Sequence, residues 1–138
     1  LLAKERGIVI EYGATNEKGA YTNLIQTKVT TKNQEYSITG SVFDGNQLRL
    51  VNILGYEIDL NPTGNMLFVK NKDVPGVIGK VGTLLGKHEI NIGAYLLSNA
   101  EHQDEAFAAI RLDSQAPADV LDLLMEIPEI ISVQQLRC

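Results

Sequence analysis

The chain has one cysteine, Cys138, and two isolated histidines, His88 and His102. A single thiol excludes an internal disulfide and cannot build a structural zinc or iron–sulfur centre. Neither histidine has a second ligand at metal spacing, and His88 reads as a side chain at a helix end. Positive charge is scarce and scattered. Twelve Lys and Arg against seventeen Asp and Glu leave a net charge of −5, the wrong sign for a nucleic-acid surface. No basic run resembles a membrane anchor, and no apolar stretch approaches the ~20 residues needed to cross a bilayer. Chemistry is missing as well. There is no dinucleotide Gly-x-Gly-x-x-Gly and no phosphate loop ending in Gly-Lys-Ser/Thr. No Ser/His/Asp or Cys/His set recurs at adjoining strand ends. These absences predict a cytoplasmic, reduced protein that assigns no catalytic residue, holds no metal or cofactor, and binds neither nucleic acid nor membrane.

What is present divides in two. Leu1 to Gly7 reads as the last turns of a helix closed by glycine, with nothing before it to begin that helix, so a fragment of a longer polypeptide is expected. Asn61-Pro62-Thr63-Gly64-Asn65 punctuates the chain, dividing it into residues 1–64 and 65–138. Before it the period is two. Tyr36, Ile38, Gly40 and Val42 alternate with Glu35, Ser37, Thr39 and Ser41, a strand with one wet face. Asp44-Gly45-Asn46 turns the chain into Gln47–Leu54, and further strands fit Ile8–Thr15, Leu24–Thr31 and Tyr56–Leu60. An antiparallel sheet of about five strands results. It lacks a covering layer, which a segment upstream of the chain is expected to supply.

After the linker the pattern becomes βαββαβ, a ferredoxin-like arrangement in an α+β chain. The strands are Asn65–Asn71, Asn91–Ser98, Glu105–Asp113 and Ile130–Arg137. Helices run from Pro75 to about His88 and from Pro117 to about Glu126. Gly76, Gly79, Gly82 and Gly86 recur along the first helix, and close packing is the expected reason. Glu101, Asp104 and Glu105 read as a solvated loop cluster. The strands Ile92–Leu97 and Ala106–Leu112 are apolar at both parities, whereas two helices cover only one face. An uncovered apolar face is an association surface, so a homo-oligomer, at least a dimer, is expected.

The segment from Asn71 to Gly79 joins strand to helix. Free N–H groups and the positive dipole end at a helix start favour an anion such as a carboxylate. Gly76 leaves room for its approach to the N–H groups around Gly76 and Val77, with Pro75 setting the first turn. Asp73 can take an ammonium or hydroxyl group, and Asn91 carries both a donor and an acceptor. Such groups suit a free amino acid. The ordinary alternatives stand beside this reading: Asp as a helix cap, Gly for backbone geometry, Asn as a turn residue.

Lys72-Asp73-Val74-Pro75-Gly76-Val77-Ile78-Gly79, Gly82-Thr83-Leu84-Leu85 and Glu89-Ile90-Asn91-Ile92 resemble an ACT domain, a βαββαβ amino-acid-sensing module. Ala3-Lys4-Glu5-Arg6-Gly7-Ile8, Ser37 to Phe43, Gly55 to Leu60 and Gly64-Asn65-Met66-Leu67 resemble the C-terminal part of long-form D-3-phosphoglycerate dehydrogenase. In that family an intervening, or allosteric substrate-binding, domain precedes the ACT domain. The resemblance implies a partial intervening domain over 1–64 and an ACT domain over 65–138. The parent would oxidise 3-phosphoglycerate with NAD in the first step of serine synthesis, with NAD and catalysis in domains absent here. It further implies L-serine as effector, with Asp73 and Asn91 at matching contact positions and Asn71 at a third. Arg49 occupies the place of an anion-binding basic residue, but Asn61 stands where a second can occur. Three alternatives are a regulatory segment of an amino-acid dehydratase, a purely structural dimerisation module, and an RNA-recognition module. The last needs exposed aromatics, for which only Phe68 and Phe107 are available.

Overall fold

The computed structural model describes residues 5, 7, 9, 11, 13, 23–33, 35–43, 46–99 and 104–138. The expected strand over Ile8–Thr15 falls largely outside them, as do Glu101 and His102. Of the expected opening helix, Glu5 is helical and Gly7 stands at φ 70°.

Four described strands make the first sheet: β1 (Ile25–Thr30), β2 (Glu35–Phe43), β3 (Gln47–Ile53) and β4 (Tyr56–Leu60), antiparallel in that order. Leu54 and Gly55, at φ 55° and 88°, form the two-residue turn between β3 and β4. Positive φ at both central residues matches the twist of a tight hairpin. The Asn52 side chain accepts the Gly55 N–H at 3.0 Å. The expected wet face of β2 is not wet throughout. Thr39 and Ser41 are buried, and the Ser41 hydroxyl donates to the Asn23 carbonyl at 2.6 Å. A short hydroxyl that bonds backbone can be buried without an orphaned polar atom. Tyr36, Ile38 and Val42, at the other parity, are exposed.

The second sheet holds β5 (Asn65–Lys72), β6 (Ile92–Asn99), β7 (Glu105–Leu112) and β8 (Ile130–Arg137) in the order β6-β7-β5-β8. Helices α1 (Val77–Lys87) and α2 (Ala118–Met125) complete βαββαβ. Leu67, Val69, Ala108 and Ile110 meet Val77, Val81, Leu85, Val120 and Leu124 in one core. The helix expected from Pro75 begins at Val77 instead, because Gly76 at φ 93° is its cap. Likewise Pro117 caps α2 in extended geometry. Close packing does not explain the glycines: a Cβ at Gly79, Gly82 or Gly86 would meet nothing within 4 Å. Those positions face outward among the described residues.

The other face of this sheet is not left uncovered. Met66, Phe107 and Ala109 join Ile53, Tyr56, Ile58 and Leu60 in a second core, with Leu50, Phe68 and Leu96 at its margin. The Tyr56 and Phe107 rings stack at 5.3 Å and 19°, and Phe68 stacks on Phe107 at 5.9 Å. The first sheet therefore supplies the layer that a second copy was expected to supply. Leu97 pairs with Ala108 of the helix-side core and is exposed. It lies on the helix side at the edge strand, away from this contact.

Candidate ligand site at the start of the first helix

β5 carries Asn71 to its last turn of pleat, on the helix side, 3% exposed. Its Nδ2 donates to the neighbouring Lys72 carbonyl at 2.7 Å. Its Oδ1 is buried with no hydrogen-bond partner among the described residues. A buried amide oxygen left unpaired costs about 1–3 kcal/mol, so this acceptor calls for a donor. Beyond it, the Asp73 N–H donates to the Asp104 carbonyl at 2.9 Å and the Val74 N–H to the Lys72 carbonyl at 2.9 Å. These bonds fix the turn through Pro75 and Gly76.

Gly76 needs its left-handed φ of 93°, which a side chain would strain. Its cap residue, Gly76, has no side chain with which to bond the helix start. The first helical bond runs from the Lys80 N–H to the Gly76 carbonyl at 3.0 Å. The N–H groups before it are those a helix leaves for an external acceptor. Val77 contributes backbone there, since its side chain is in the core. Asp73 and Pro75 are exposed beside the turn.

Asn91 is elsewhere. Asn71 pairs with Ala106, and Ala106 with Asn99, at one end of the sheet. Asn91 precedes Ile92, which pairs with Leu112 and, through it, Asn65 at the opposite end. Strand rise separates the two ends by about 20 Å. The Asn91 N–H donates to Asp113 Oδ1 at 3.1 Å, and its carbonyl accepts the Asp113 N–H at 3.1 Å. One chain thus unites Asn71, Asp73, Pro75, Gly76 and Val77 but not Asn91.

Arg49 Nε donates to Asp59 Oδ1 at 2.6 Å, so an anion there would have to displace that carboxylate. No sequence pattern points to Glu129. Its carbonyl accepts the Lys72 N–H at 2.8 Å, and its carboxylate pairs with Lys80 of α1. Its Oε2 is buried without a partner among the described residues. The Lys80 hydrogen bond holds the carboxyl below its ordinary pKa. The two residues are 49 apart, beyond any local pattern. Burial raises the Tyr56 and Tyr95 hydroxyls. Among the described residues no cluster could hold a metal ion, and no helix is long and apolar enough to cross a membrane. Phe107 is 3% exposed under Tyr56, so the aromatic platform of an RNA-recognition module is not available.

Fold and site together define an α+β chain in which a βαββαβ module with a glycine-capped first helix is backed by an antiparallel sheet. Residues 1–54 match the model of the D-3-phosphoglycerate dehydrogenase intervening domain. The chain is 32% identical over 133 residues to D-3-phosphoglycerate dehydrogenase of Bacillus subtilis, covering 96% of itself and 25% of that enzyme. The namesake of Methanocaldococcus jannaschii is 32% identical over 134 residues, with the same coverage of 96% and 25%. That of Mycobacterium tuberculosis is 34% identical over 122 residues, covering 86% of this chain and 23% of the enzyme. The chain thus spans about a quarter of the length of these relatives and corresponds to their C-terminal, regulatory part. Their catalytic and NAD-binding domains lie outside it. Among solved structures, the ACT domain of a GTP pyrophosphokinase from Chlorobium tepidum aligns at 17% identity and a TM-score of 0.42, over 54% of this chain and 97% of that one.

Proposed function

We propose that this chain senses L-serine and pairs subunits as the regulatory part of a D-3-phosphoglycerate dehydrogenase, the NAD-dependent enzyme that opens serine synthesis. The observation that carries the reading is the orphaned Asn71 Oδ1 beside a helix start whose cap is a glycine. A zwitterionic amino acid satisfies both at once: its carboxylate takes the N–H groups around Val77, and its ammonium or hydroxyl donates to Asn71 and Asp73. Asn91 completes the site from a second copy. Among the described residues β6 is an edge strand, the kind of strand that leaves pairing groups free. Antiparallel pairing of two β6 edges about a two-fold axis brings the partner's N-terminal end of β6 beside Asn99, the end where Asn71 lies. Serine would then favour one packing of the pair, and that preference would reach the catalytic domains of the parent enzyme.

Calorimetric titration of L-serine into the chain, with sedimentation of the same samples, tests this. Wild type is expected to bind as a dimer, and Asp73→Ala and Asn91→Ala to lose about ten- to a hundredfold in affinity. Wild-type affinity in both variants would place the ligand elsewhere, and no binding by wild type would remove the sensing function.

A further inference from the structure

We propose that the contact between the two sheets transmits occupancy of the Asn71 site to the first sheet, with Tyr56 as the positioning residue that receives it. The proposal rests on the reading of Asn71 as an effector contact. β5 has two working faces. Leu67, Val69 and Asn71 point to the helices, whereas Met66, Phe68 and Lys70 point to the first sheet. Asn71 is covalently next to Lys70, whose ammonium pairs with Glu105. The Asp73 turn hangs on the carbonyl of Asp104, next to Glu105. Both sides of the site are therefore one residue from the same ion pair.

That ion pair stands beside Tyr56. The Tyr56 hydroxyl is buried with no well-formed hydrogen bond among the described residues, but it lies close enough to Glu105 for a loose one and also feels Lys70. Its ring is stacked on Phe107, which stacks in turn on Phe68 of β5. A packed contact of this kind cannot absorb a displacement of β5 smoothly, because close-packed side chains have no slack. Movement of Lys70 or Lys72 on ligand binding would be passed to β4 through Tyr56. The loose contact of that hydroxyl with Glu105 is the adjustable part: a small shift of Glu105 can close it into a hydrogen bond in one state and open it in the other.

Coupling of binding free energies is reciprocal, so loosening the contact must alter ligand affinity. L-Serine is titrated into the full chain carrying Tyr56→Leu, Glu105→Gln or Leu136→Ala. Leu136 sits on the same side of the sheet opposite Met66 but is exposed and outside the contact. The first two variants are expected to change the dissociation constant at least about threefold, and Leu136→Ala to leave it unchanged. Glu105→Gln keeps the test alive should Tyr56→Leu not fold. Wild-type affinity in the folded contact variants would overturn the proposal. Should wild type bind no serine, the sensing reading fails by itself, and thermal unfolding of a double-mutant cycle decides the coupling. Asn71→Val with Tyr56→Leu should depart from additivity by more than about 2 °C, whereas Asn71→Val with Leu136→Ala should add. Additivity in the Tyr56 pair would end it.

Discussion

At the scale of single residues, the account turns on an unpaired oxygen. An acceptor kept buried without a donor lowers the stability of the unliganded chain, a pattern expected where function opposes stability. Asn71→Val fits the strand and removes the orphan. Its unliganded melting temperature is expected at or above that of wild type, with serine affinity at least about tenfold lower. Thermal shift with and without ligand checks both. A second residue-scale outcome follows from Glu129. Its folded pKa lies below the ordinary value of 4.5, so its contribution to stability is full above that value and fades as pH falls through the folded pKa. Lys80→Met should therefore flatten the decline in melting temperature below about pH 5. An unchanged acid profile would mean the ion pair carries no weight. The placement of Asn71 and Asp73 at a junction of strand, turn and helix was legible in the sequence. The burial of Asn71 and the role of Glu129 were not, since both depend on β8 lying beside β5.

At the scale of elements, periodicity was a good guide where one face is dry. The strand expected over Tyr56–Leu60 is found there, and α1 lies within two residues of the expected helix at each end. α1 starts later than expected: Pro is at home in a first turn, but here Gly76 takes the cap and leaves Pro75 outside the helix. The end of α1 carries a tension. The Ile90 N–H reaches the Leu85 carbonyl at 3.0 Å and the Glu89 N–H the Gly86 carbonyl at 3.1 Å, a Schellman closure. Its left-handed position holds Glu89, at φ 58°, rather than glycine. Gly86, meanwhile, sits inside the helix with open space around it. Exchanging the roles should stabilise the chain: Glu89→Gly relieves the backbone and Gly86→Ala restores helix propensity, each by about 0.5–1 kcal/mol. Denaturant midpoints measure the two separately. A loss of stability in Gly86→Ala would point to a neighbour against that face.

At the scale of the whole molecule, the sequence announced two apolar sheet faces but not what covers them. Alternation assigns Phe107 and Met66 to a face, yet only the folded chain reveals that Tyr56, Ile58 and Leu60 fill it. The proposed pairing therefore uses another surface, the β6 edge left unpaired among the described residues, which brings Asn91 to the Asn71 site. This makes a two-copy site the central claim, and subunit mixing tests it most directly. Asp73→Ala and Asn91→Ala chains, each expected to bind serine about ten- to a hundredfold more weakly alone, are exchanged at equal concentration and titrated. In a mixed dimer one site loses both residues and the other keeps both. Calorimetry is then expected to recover wild-type affinity at about a quarter of the wild-type stoichiometry, given random exchange into two-fold dimers. A mixture that binds no more serine than its separate components would contradict the account.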